Sequence, residues 1–213
     1  MKNGITELVF LLDRSGSMAG LESDTIGGFN AMIEKQKKQE GICHVSTILF
    51  DHETRVLHDR VPLARVEPMS GRDYTVRGCT ALLDAVGGAI RHISSIHKYA
   101  RPEDVPEHTL FIITTDGMEN ASWEYTAPAV RRMIECQRTL HGWEFLFLGA
   151  NMDAVQTARR FGIDPRRAVN YRADRRGTQV IYEAMNQAVC QVRGHKPLDD
   201  GWRQKVDRDF KNR

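Results

Sequence analysis

The sequence predicts an α/β fold, a mostly parallel central sheet covered by helices on both faces, with one antiparallel pair at an edge. Three observations carry this. Short apolar runs alternate with longer segments of helical periodicity through most of the 213 residues, the pattern of a sheet whose strands are buried on both sides. Two of these runs stop abruptly at a carboxylate, Asp13 and Asp116, and in open α/β sheets the ligand site lies beyond the C-terminal ends of the strands, where strand order reverses. One pair of runs is joined by only four residues, Asp51 to Thr54, a connection that suits antiparallel neighbours.

In chain order, residues 5–12 read as a strand bounded by Gly4 and by the loop containing Gly16. Ile26, Phe29, Met32 and Ile33 recur near helical spacing, with Ser23 or Asp24 as the cap, a basic last turn from Lys35 to Lys38, and Gly41 as the stop. Gly27 and Gly28 within that helix predict close packing against a neighbour. Residues 45–50 and 55–57 form the edge hairpin, and 62–77 is irregular. Leu82, Val86, Ala89, Ile90, Ile93 and Ile96 form a helical stripe, followed by a loop with Pro102 and Pro106 and a strand at 109–115. Val130, Met133, Ile134 and Leu140 mark a helix that tolerates Pro128 in its first turn. A strand at 143–148, a short helix at 153–161, a last strand at 168–171 and a closing helix through Val180, Ile181, Ala184, Met185, Ala188 and Val192 complete the series. The domain is expected to span residues 1–194, with 195–213 a C-terminal tail that is either docked through Trp202 or mobile.

Composition excludes several classes. With 41% hydrophobic and 27% charged residues the chain is neither disordered nor fibrous. A net charge of +2 gives no general attraction for nucleic acid or an anionic membrane. The sum hides an asymmetry: residues 1–150 carry 16 basic against 20 acidic side chains, and 151–213 carry 14 against 8. The first strongly apolar run, residues 8–12, is too short for a signal-peptide core or a bilayer span. Four widely separated cysteines read as reduced thiols in a cytoplasmic protein. The eight histidines are scattered, and none pairs with a cysteine at finger spacing, so zinc is not expected.

The chemistry-bearing constellation is built from oxygen. Asp13, Ser15 and Ser17 alternate in Asp-Arg-Ser-Gly-Ser, with Gly16 permitting a sharp turn. Thr80 precedes a strong helix, which it is expected to cap, and Asp116 ends a strand. Each piece alone is a common turn or cap composition; their joint placement at strand ends is what points to a site. Hard cations prefer such donors, and few carboxylates with room for water favour Mg²⁺, Mn²⁺ and Ca²⁺ being the other candidates.

At these residues the chain resembles the von Willebrand factor A (vWA) domain, whose metal-ion-dependent adhesion site (MIDAS) is written D-x-S-x-S, a distant Thr and a distant Asp. The resemblance covers residues 5 to 193 by element order, and all five positions match. It implies a doubly wound, Rossmann-like sheet with one antiparallel edge strand, and a metal, usually Mg²⁺, held by Asp13, Ser15 and Ser17 in a first loop, Thr80 in a second and Asp116 in a third. It also implies one coordination position open to a partner's carboxylate. The physical reason is independent of the family: a cation bound mainly by hydroxyls and water keeps much of its positive field. Met18, Met118, Asn120, Trp123 and Tyr125 are expected to rim the site. His52 and His58 are expected to be solvated and away from it, Cys79 to be a small half-buried residue, and Arg14 to have no role.

The function expected is therefore a metal-dependent protein-binding module, not an enzyme, that captures a partner's Asp or Glu. One alternative is a phosphatase or phosphotransferase of the haloacid dehalogenase type. That family's opening motif needs a second aspartate where Ser15 stands, and no phosphate-binding G-x-x-x-x-G-K-[ST] loop is present. Another is an accessory subunit docking on an ATPase or chelatase. Arg159-Arg160, Arg166-Arg167 and Arg175-Arg176 read as solvated pairs rather than a nucleic-acid surface, since no aromatics interleave them. The sparse D-R-S-G-S-M form resembles stand-alone bacterial members of the family.

Overall fold

The structure, a computed structural model, describes residues 4–213. Its centre is β1 (Thr6–Asp13), every residue of which is buried. Leu8, Phe10 and Leu12 enter one apolar cluster while Val9 and Leu11 enter a second, the twofold alternation a strand imposes. Both clusters are covered, which is why the run reads as continuously apolar. Parallel neighbours flank it, β2 (Cys43–Phe50) and β4 (His108–Thr115), with Leu12 level with Leu49 on one side and Thr114 on the other. Adding β3 (Thr54–Pro62), β5 (Glu144–Ala150) and β6 (Ala168–Tyr171) gives the six-stranded order β3-β2-β1-β4-β5-β6, in which only the β2–β3 pair is antiparallel. Strand order reverses between β1 and β4, so a crevice opens beyond Asp13 and Thr115.

On the face of the first cluster lie α1 (Glu22–Lys37), α5 (Arg175–Arg193) and α6 (Gln204–Lys211); on the other lie α2 (Leu82–Tyr99), α3 (Ala127–His141) and α4 (Ala154–Arg160). Neither Ser23 nor Asp24 caps α1: the helix starts at Glu22 with Leu21 at the cap position and no side-chain cap. Glu22 instead reaches back to the Gly20 amide at 2.7 Å, and Glu22 and Asp24 favour the positive helix end as charges. A Cβ on Gly28 would run into the Tyr182 ring of α5, whereas Gly27 faces open space; the close approach belongs to one glycine of the pair. Beyond Gly194, α6 packs on α5 and β6, and Trp202 is fully buried in the first cluster.

The helix marked by Val130, Met133, Ile134 and Leu140 forms as α3, although Leu140 is 69% exposed, since six residues past the buried Ile134 is about 600° around the helix, roughly 120° off the apolar face. Three further expectations are corrected. His58 is buried, stacked on Phe29 and hydrogen-bonded to Thr47 Oγ1 at 3.0 Å, and burial lowers its pKa. Cys79 is exposed; it and the other three cysteines are free. His52 is exposed as expected, but it lies beyond the C-terminal end of β2, against Gly78, on the same edge of the sheet as Asp13. Among the described residues no helix is long and apolar enough to cross a membrane.

Candidate functional site

The edge of the sheet beyond β1 and β4 brings Asp13, Ser15, Ser17, Thr80 and Asp116 together from three loops. Ser15 Oγ and Ser17 Oγ lie 3.1 Å apart, and Ser17 Oγ donates to Asp116 Oδ1. Gly117 locates the third loop among the hydroxyls. A Cβ built there would lie 2.9 Å from Thr80 Oγ1, 3.0 Å from Ser17 Oγ and 3.7 Å from Ser15 Oγ. Three hydroxyls thus surround one small volume that only a glycine leaves open.

Asp13 is held beneath them. Its carboxylate accepts from Ser15 N at 2.7 Å and from Thr115 Oγ1 at 2.5 Å, and its carbonyl accepts from the buried Tyr74 hydroxyl. Burial pushes Asp13 up to about 6, against the hydrogen bonds from Thr115 and Ser15, with the Asp116 charge adding a smaller push. Burial also raises Asp116, whose Oδ2 is enclosed without a hydrogen-bond partner. Among the described residues, no cationic side chain is a leading cause acting on either shift. Two desolvated carboxylates, one with an unpaired oxygen, and three convergent hydroxyls fit a hard dication. These five residues are the ones that would hold it.

The loops are locked by groups that are not legible as site residues in the sequence. Arg14 is buried, with Nε 2.9 Å from Asp51 Oδ2 although off the hydrogen-bond axis, so Arg14, expected to have no role, anchors the first loop. Asp51 also accepts from Arg77 Nε at 3.0 Å, and its carbonyl accepts from Ala81 N at 2.7 Å. Gly16 N donates to Gly78 O at 3.0 Å and Arg77 N to Arg14 O at 2.9 Å, joining the first and second loops directly. Gly78 has φ +66°, and a side chain there would strike His52.

Thr80 does not cap α2; Ala81 occupies the cap position, without a side-chain bond. The third loop satisfies that helix end instead. Glu119 Oε2 accepts from Leu83 N at 2.9 Å and Ser122 Oγ from Asp84 N at 3.1 Å. In return Asp84 accepts from the amides of Trp123, Glu124 and Tyr125 at 2.9, 3.0 and 2.8 Å. Asn120 belongs to this lock, its Oδ1 accepting from Thr80 N at 2.9 Å.

Of the expected rim, Met118 (70% exposed) and Trp123 (82% exposed) stand free on the locked loop. Met18 is buried, and Tyr125 is half-buried against Gly87 of α2. The arginine pairs of the basic C-terminal third largely meet acids: Arg166 lies 2.9 Å from Asp164, Arg167 2.9 Å from Glu144 and Arg176 2.9 Å from Asp209.

No protein-family model and no curated protein matches the chain. Solved structures do match. The vWF domain of the type V pili tip protein from Porphyromonas gingivalis aligns with a TM-score of 0.65 at 11% identity, over 92% of this chain and 98% of that one. Proximal thread matrix protein 1 from the mussel byssus, with a zinc-occupied MIDAS motif, aligns at 0.59 and 15% identity over 88% of this chain and 46% of that one. The manganese-loaded TRAP protein of Plasmodium vivax aligns at 0.54 and 16% identity, over 84% and 73%. The chain thus spans about half the mussel protein's length. At these identities the likeness establishes the fold: a six-stranded vWA-like sheet with one antiparallel edge pair.

Proposed function

We propose that this protein is a non-enzymatic, metal-dependent binding module that captures an Asp or Glu of a partner protein at Asp13, Ser15, Ser17, Thr80 and Asp116, with Mg²⁺ as the ion. The observation that carries the reading is the desolvated acid pair, Asp13 and Asp116, beneath three convergent hydroxyls. Mg²⁺, when bound, supplies a positive centre with a position open to an outside carboxylate. Ser15, Ser17 and Thr80 contribute oxygen without charge, so the site would stay electropositive. Thr115 and Tyr74 hold Asp13, and the Asp84 and Glu119 exchanges hold the third loop, so the donors are positioned before a ligand arrives. Trp123 and Met118, both exposed on the third loop, offer apolar contact to a partner. The domain is read as residues 1–194, with 195–213 packed onto it through Trp202. The four free cysteines support a reducing, cytoplasmic location.

The zinc-occupied MIDAS of the mussel protein and the manganese of the Plasmodium protein support a divalent ion at this position in the fold. The test is capture of partners by wild-type and Asp13→Ala protein, each with Mg²⁺ and with EDTA. A set retained only by wild type with Mg²⁺, and released when the partner's carboxyl groups are amidated, is the expected result. Identical captures in all four conditions would sink the reading.

A further inference from the structure

At the opposite end of the sheet from Asp13, the start of β4 meets the end of α5, and three side chains of a different chemistry converge. Glu107, His108 and His195 place one ligand atom each within 4.8 Å of one another. His108 Nε2 lies 3.0 Å from His195 Nδ1, and Glu107 Oε1 lies 3.6 Å from the former and 3.7 Å from the latter. A point about 2.0 Å from all three atoms exists, since that is the circumradius of this triangle; zinc bonds to His and carboxylate are about 2.0–2.2 Å. An ion with bonds of ~2.1 Å would sit ~0.6 Å above the plane, close to the tetrahedral offset, with its fourth position outward.

The surroundings suit such an ion. Glu107 is largely enclosed, its side chain 12% exposed, and its second oxygen accepts from Gly4 N at 3.4 Å, the kind of outer hydrogen bond that orients ligating carboxylates. His108 and His195 are 31% and 46% exposed, which opens the outer side to solvent. His195 sits in the left-handed region at φ +53°, its amide donating to Val192 O at 3.1 Å. That departure from the α5 helix turns its ring toward His108.

We propose that Glu107, His108 and His195 bind a Zn²⁺-class dication that clasps the end of α5 to the start of β4. Two imidazoles and one carboxylate select borderline metals over Mg²⁺, in contrast to the all-oxygen loops at the other end of the sheet. Binding requires no net proton loss from neutral rings: the proton that His108 and His195 share between Nε2 and Nδ1 moves to the far nitrogen of its ring, freeing both facing lone pairs.

The experiment is a Zn²⁺ titration of untagged Asp13→Ala protein in excess Mg²⁺, which removes the oxygen site from the measurement, repeated with Co²⁺ for its visible absorption. One equivalent is expected to bind with tetrahedral Co²⁺ bands. His108→Ala and His195→Ala should each weaken binding by about 100-fold or more, while His141→Ala should leave it unchanged. Ring ¹⁵N resonances of His108 and His195, followed in the otherwise unmodified titration, give a readout that needs neither histidine variant to fold. Shifts confined to these two rings support the clasp. Absence of saturable binding, unmoved resonances, or an affinity unaffected by both histidine variants would overturn it.

Discussion

Gly117→Ala isolates the candidate site from the fold that carries it. The added methyl would lie 2.9 Å from Thr80 Oγ1 and 3.0 Å from Ser17 Oγ, where an ordinary carbon–oxygen contact needs about 3.4 Å. Two hydroxyls must each retreat by ~0.4–0.5 Å, about the tolerance of a working constellation, and Mg²⁺ accepts little departure from bonds of ~2.0–2.1 Å. A loss of about 100-fold in affinity, or ~2.7 kcal/mol, is expected. Wild-type protein at ~100 times its Kd gains ~2.7 kcal/mol, which raises Tm by ~5–11 °C for a chain of this size. At the same Mg²⁺ the variant would sit near its own Kd and gain only ~0.4 kcal/mol, or ~1–2 °C. In EDTA the variant should lose no more than the ~1–3 kcal/mol typical of overpacking, since Gly117 has no positive φ to strain. Calorimetric scans with Mg²⁺ and with EDTA measure both quantities, and Gly27→Ala, whose Cβ meets nothing within 4 Å, controls for the glycine change itself. A Gly117→Ala protein that keeps the full Mg²⁺ shift would refute the placement of the ion among these hydroxyls.

Asp13→Asn removes a charge that burial disfavours, so the metal-free variant should unfold at or above the wild-type temperature while losing its Mg²⁺ response; a large drop in EDTA would show that the carboxylate is needed for folding instead. Asp84→Ala deprives three amides of their acceptor, and a loss of ~2–4 kcal/mol in denaturant unfolding is expected, together with faster hydrogen exchange at Trp123, Glu124 and Tyr125. Arg166 holds Asp164 down to about 2 from 3.8. The folded pKa lies below the unfolded one, so this stability is complete above about pH 4 and is lost as pH falls toward 2. Partial exposure discounts the ceiling of ~2.4 kcal/mol to ~1, and Asp164→Asn should flatten the acid limb by that amount between pH 5 and 2.

The strands were legible because their burial on both faces leaves a run of apolar residues that no other element demands, as in β1 and β4. Helix starts were not. Ser23, Asp24 and Thr80 each have the chemistry of a cap, yet α1 relies on charge and α2 is capped by Glu119 and Ser122 from about forty residues away. His58 reads as solvated, and Arg14 as without a role, until the partners Thr47 and Asp51 are known to lie beside them.

The candidate metal loops could be written from sequence because oxygen chemistry, glycine turns and strand ends are local properties, and five residues in order carry them. What holds those residues is not local. Thr115 reaches Asp13 across 102 positions and Tyr74 across 61, and neither spacing has a period that marks it. Scattered histidines argued against zinc, yet His108 and His195, 87 positions apart, are hydrogen-bonded neighbours. Residue type and short-range order determined which chemistries were available to this chain. Only folding decided which groups meet, because burial is a property of surroundings that the sheet assembles from distant segments.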